Sequence, residues 1–212
     1  MSLSLSTALR AGLVLAAASL ALPAYAGTVY QSATATANPQ GGFAIEGDGT
    51  SDNSRFIGAA FEVLQPTLVS DIGGNFRNSR GSIFGEIIAL SGLNSFPSVA
   101  AGDLESIALG HIVISPAQDG DASGALSVML EPGTYGVLFG SGLFGATGTS
   151  SLTFGNDDVG SPTLFENNFD LGYDVFPADG IRIFVDGQVP EPATLALLGF
   201  GVASLFSLRR RA

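Results

Sequence analysis

Short apolar runs recur about every ten residues along residues 27–189, separated by clusters of Gly, Asn, Asp, Ser and Pro. This is the pattern of short strands joined by turns. No long window shows the 3.6-residue apolar period with flanking caps that a helix requires. The pattern predicts strands over 28–36, 43–46, 55–64, 67–72, 82–90, 109–114, 125–130, 134–139, 152–154, 169–173 and 181–185. Ile57, Ala59, Phe61 and Val63 fall on one face of their strand, as do Tyr135, Val137 and Phe139 of theirs. Ile183 and Val185 point inward from the last one. Pro66 breaks one run, and Gly73-Gly74 closes the next. Glu131-Pro132-Gly133 supplies the residues of a tight turn and predicts that 125–130 and 134–139 form a hairpin. Residues 91–101 read as a loop and 103–108 as a helical turn. The glycine-rich stretch 140–148 lacks the Gly-Lys-Ser/Thr of a phosphate-binding loop, and Leu143 and Phe144 are its expected anchors into the core. The expected fold is all-β: a single antiparallel β-sandwich, jelly-roll-like, with a core filled by some of the chain's 15 phenylalanines.

Both ends depart from this pattern. Arg10 precedes an apolar run over 11–22, and Ala24-Tyr25-Ala26 forms a small-x-small site. Residues 1–26 therefore read as a secretory signal peptide, with Ala24 and Ala26 marking cleavage by signal peptidase and Gly27 beginning the mature chain. At the other end, Pro190-Glu191-Pro192 leads into 16 uncharged residues, 193–208, and then Arg209, Arg210 and Arg211. As a helix the uncharged run would be roughly 24 Å long, a short span for a hydrocarbon core of about 30 Å. The arginines favour the cytoplasmic side. Pro190 and Pro192 stop such a helix from extending backward. The chain thus divides into a signal peptide (1–26), an extracellular domain (27–189) and a tail (190–212) with a short transmembrane helix.

The triplet, the apolar run and the arginine cluster, in that order over residues 189–211, resemble the PEP-CTERM sorting signal. The resemblance implies an exported protein of Gram-negative bacteria that make exopolysaccharide. It also implies an exosortase, a membrane protease/transpeptidase, as the processing partner. Pro190, Glu191 and Pro192 would then be recognition residues for that enzyme. The tail would hold the protein in the inner membrane during sorting, before it reaches the cell surface or matrix. Residues 130–148 are similar to segments of other PEP-CTERM cargo domains, a likeness that brings no activity with it.

Charge narrows the function of the domain. Residues 27–189 hold four arginines, no lysine and eighteen acidic residues, a formal charge of −14. Nucleic-acid binding, which needs a basic face to replace counterions, is excluded as an expectation. The chain has no cysteine, so thiol catalysis and thiolate metal sites are absent. His111 is the sole histidine, and no Gly-x-Ser-x-Gly elbow accompanies it. It reads as a histidine at a strand edge. Two acidic stretches offer oxygen ligands for a structural Ca²⁺: Asp48 and Asp52 with Glu46 and Asn53, and Asp119 and Asp121 with Ser123. The second opens like an EF-hand loop, but Leu130 stands where the bidentate Glu belongs. No other cofactor is expected. No spacing among the acids singles out a glycosidase pair, and there is no tryptophan to form a sugar platform.

The expectation is a non-enzymatic, exported protein with a structural or adhesive role in exopolysaccharide or biofilm. The alternatives are a carbohydrate-binding module, with or without Ca²⁺, and a polysaccharide-acting hydrolase.

Overall fold

The computed structural model describes residues 27–189 apart from 38, 51, 52 and 178 and the side chain of residue 170. The described chain is mostly antiparallel β-strand. It runs through β1 (Gly27–Gln31), β2 (Ala33–Thr34), β3 (Gln40–Gly47), β4 (Ser54–Val63), β5 (Thr67–Arg80), β6 (Ile83–Leu90) and β7 (Ala108–Ile114). It continues through β8 (Gly120–Leu130), β9 (Gly133–Gly140), β10 (Thr149–Phe154), β11 (Asp157–Asp158), β12 (Thr163–Asn168), β13 (Tyr173–Phe176) and β14 (Ile183–Gln188). The 3-10 segments Ala101–Ser106 and Phe169–Leu171 lie between strands.

Twelve of the strands form one curled antiparallel sheet, in the order β1-β14-β5-β10-β3-β4-β9-β6-β7, with β8 added to β5 and the β12–β13 pair added to β4. β3 joins the two limbs: Gln40 to Ile45 pair with β10, and Glu46 and Gly47 pair with β4. The main core lies where the limbs meet. Ile72, Phe76, Leu152 and Val185 come from the limb containing β5, and Ile57, Phe61, Ile87, Val137 and Phe139 from the limb containing β4. Burial of each such side chain contributes about 1.5–3 kcal/mol.

The limb of β4, β9 and β6 is buried on both faces. Its far face carries a second cluster of Phe56, Phe84, Ile88, Leu138 and Phe165. Ala101 and Leu104 of the first 3-10 turn and Leu143 and Ala146 of the glycine-rich loop cover it. Two-sided burial is why the positions between the inward-facing ones on these strands are also buried.

Glycine and phenylalanine are abundant for one shared reason. Phe139 pairs directly across from Gly85, Phe84 from Gly140, Phe165 from Gly58 and Phe184 from Gly73. A Cβ built on Gly85 would lie 2.5 Å from the Phe139 ring, and one on Gly58 would lie 2.5 Å from the Phe165 ring. In these pairs the ring lies over the neighbouring strand's glycine, filling space that the glycine leaves empty.

The chain departs from the sequence expectation in several places, one of them β12 (Thr163–Asn168), where no strand was expected. Strands β8 and β9 do not form a hairpin: β8 pairs with β5, and β9 with β4 and β6. Glu131-Pro132-Gly133 instead carries the chain from one limb to the other, where the Tyr135 hydroxyl donates to the Glu131 carbonyl at 2.8 Å. Strand β5 does not end at Gly73-Gly74 but runs 14 residues to Arg80, because the Phe184 ring and Leu152 occupy the space beside those glycines. Asp121 lies inside β8 rather than in a loop. Residues 169–171 form a 3-10 turn between β12 and β13, where one strand was expected.

Candidate functional site

The acidic positions are spread over the domain, and the candidate ligands among them serve local structure. Asp48 locks its own turn. Its carboxylate accepts from the Thr50 amide at 3.0 Å, the Thr50 hydroxyl at 2.7 Å and the Asn53 side-chain amide at 2.8 Å. The side-chain bonds from Asn53 and Thr50 hold its pKa down at about 2. Asp52 lies outside the described residues. Asp119 accepts from the Asn78 amide at 3.0 Å. Asp121 is engaged on both oxygens, by the Asn75 side-chain amide at 2.7 Å and by Arg182 Nε at 2.9 Å. Among the described residues, no three His, Asp or Glu side chains converge as a metal site would require.

The Asp121 pairing is one step in a longer polar chain that sequence reasoning did not anticipate. The Thr153 hydroxyl donates to Asn75 Oδ1 at 2.6 Å, and Asn156 Nδ2 donates to Thr153 Oγ1 at 3.1 Å. Asn75, Thr153 and Asn156 are all buried. Their amides and hydroxyls are satisfied by one another together with Asp121, the Thr36 amide and the Gly180 carbonyl, as buried polar groups must be. Beside this network lies a cleft of about 330 Å³ lined by Thr36, Asn75, Arg77, Asp119 and Thr153. A second cleft, of about 390 Å³, lies farther along β5 and β10, with Glu46, Ser79, Arg80, Ser150 and Ser151 in its walls. Each lining combines hydroxyls, one side-chain amide, one guanidinium and one carboxylate with a few apolar residues. Such a surface can hydrogen-bond a polyhydroxylated ligand.

The residue with the most unusual environment is Glu86. It sits on β6 between Phe84 and Ile88, directed into the second cluster, and is fully buried. Neither carboxyl oxygen has a hydrogen-bond partner among the described residues. Burial first, and the negative charge of Glu105 second, push its pKa up to about 8. Both effects favour the protonated acid, and its side chain is sealed from solvent. Nothing in the sequence distinguishes it, since a Glu between Gly85 and Ile87 reads equally well as a solvent-facing position.

Its neighbours come from several segments. Glu105, in the 3-10 turn, accepts from the Phe144 amide. The Tyr173 hydroxyl donates to the Val99 carbonyl at 2.7 Å; burial first, then the charges of Glu86 and Asp103, raise its pKa. His111 pairs across from Glu86 on β7, but its exposed ring stacks on Phe144, with centroids 4.1 Å apart. Phe144 in turn contacts Phe84. Leu143 and Phe144 thus anchor the glycine-rich loop, as the sequence predicts.

Ala24, Ala26, Pro190, Glu191, Pro192, Arg209, Arg210 and Arg211 lie outside the described residues. Among the described residues, no helix is long and apolar enough to cross a membrane. The domain leads directly into the tail, for β14 ends at Gln188. No curated protein matches the chain. Residues 188–211 match the family model of the PEP-CTERM protein-sorting motif. The chain therefore carries a PEP-CTERM sorting signal, which marks it as an exported protein that is held at the membrane before an exosortase sorts it.

Proposed function

We propose that residues 27–189 are a non-enzymatic, jelly-roll-like β-sandwich passenger, delivered to the cell surface or extracellular matrix for a structural or adhesive role in exopolysaccharide. The observation that carries this reading is the sorting motif joined directly to an acidic, strand-built domain. The strong negative charge keeps such a domain soluble and separate after export. The test is fractionation of a bacterium that processes this tail. The intact chain is expected in the surface or matrix fraction, and a chain with Pro190→Ala, Glu191→Gln and Pro192→Ala in the inner membrane. Equal distribution of the two refutes the reading.

The two hydroxyl-lined clefts along β5 and β10 favour a second reading, a carbohydrate-binding module. Retention of residues 27–189 on the host's own polysaccharide, lost with Arg77→Ala, supports it. Absence of retention removes it.

A further inference from the structure

The register of the first and last strands brings the chain's two processing junctions together. Gly27, which directly follows Ala24-Tyr25-Ala26, pairs across from Gly187. The sorting motif begins at Gln188, the next residue and the last of β14. Strand β14 is also paired along its other edge, where Gly187 faces Val69 and Gln188 faces Leu68 of β5. The enclosure is close: a Cβ on Gly187 would lie 2.6 Å from the Leu68 carbonyl oxygen and 3.1 Å from Val29 of β1. Beyond Gln188 only Val189 separates the sheet from Pro190, which has no N–H to continue a ladder.

Strand β1 is well held. The Tyr30 ring stacks on Phe61 with centroids 5.3 Å apart. Next in the chain, Ser32 donates through its hydroxyl to the Ile181 carbonyl at 2.6 Å, and Gln31 accepts from Arg182 at 2.9 Å. Enzymes that cleave peptides bind several consecutive residues in extended form, aligned as an added strand. A residue already paired on both edges cannot enter such a groove until the local ladder opens.

We propose that β1 gates processing of the C-terminal tail: its Gly27–Gly187 end must release β14 before the sorting enzyme can act. This rests on the sorting reading above. Removal of the signal peptide and sorting of the tail then take place at one rim of the domain, and the docking of β1 couples them.

The chain lacks cysteine, so a disulfide introduced by Thr28→Cys with Asp186→Cys, a directly paired position, has no competing thiol. In a bacterium that processes the unmodified chain, the oxidised variant is expected to be processed more slowly by about tenfold or more. Reduction, or a flexible Gly-Ser spacer inserted after Gln188, is expected to restore the rate. Processing of the locked chain at the unmodified rate overturns the proposal, as does a block that neither reduction nor the spacer relieves. Failure of the unmodified chain itself to be processed would remove the sorting reading instead.

Discussion

The two hydrophobic clusters of this domain are built on opposite faces of the same strands, yet they differ in kind. The main core is enclosed by both limbs of the curled sheet, with Phe76, Ile87, Val137 and Phe139 fully buried. The second cluster has sheet on one side only; a 3-10 turn and a glycine-rich loop form the other. It also contains Glu86, the only buried carboxylic acid among the described residues. A ladder-bonded wall resists opening more than a loop wall does, because it opens only with the strands themselves. The same β6 strand therefore carries a rigid face and a face whose integrity depends on a proton.

That contrast can be broken most directly at Phe139, where replacement by Ala would empty the space over Gly85. Phe139→Ala is expected to cost about 3–5 kcal/mol in urea denaturation. A loss as small as a surface substitution's would show that the limbs do not share one core.

The next largest effect is expected at Glu86. Its folded pKa, about 8, stands above the ordinary carboxylate value near 4.5. Between those pH values the folded chain holds a proton that the unfolded chain has lost, so stability falls as pH rises through this window. That stability is fully present at low pH, is lost progressively across this window and levels off above about pH 8. Glu86→Gln, measured by denaturation across pH 4.5 to 8, is expected to flatten this slope and to be more stable than the unmodified chain at pH 8. An unchanged slope would mean that the second cluster is wet.

A smaller effect separates the two faces. Leu104→Ala, in the 3-10 turn, is expected to cost about 2 kcal/mol, because the loop wall can relax into the gap. Hydrogen exchange should quicken at residues 99–107 while Ile87 and Val137 keep their protection. Uniform loss of protection would show that the two clusters open as a unit.

Much of the strand content is visible in the chain's punctuation, because each buried face needs regularly spaced apolar positions. The inward sets at Ile57 to Val63 and Tyr135 to Phe139 emerge as the alternation predicts. Pairing partners are not visible in the same way. Glu131-Pro132-Gly133 has turn chemistry whether it joins neighbours in one limb or passes between limbs, and the long-range partners of β8 and β9 decide which. Gly73-Gly74 reads as an end until Phe184, far along the chain, fills the space beside it. Asp119 and Asp121 have the spacing of ion ligands, but Arg182 and Asn75 come from other strands to engage Asp121.

The sequence by itself determined the sorting tail, the strand-rich class, the acidic balance and the absence of thiol chemistry, because each is written in contiguous residues or in composition. The tertiary structure alone decided which strands pair, which glycine lies under which ring, that Glu86 is sealed in an apolar cluster, and that Gly27 lies beside Gly187. The physical reason is distance along the chain: burial and hydrogen-bond satisfaction depend on what packs against a residue, and in a curled antiparallel sheet those neighbours are mostly remote in sequence.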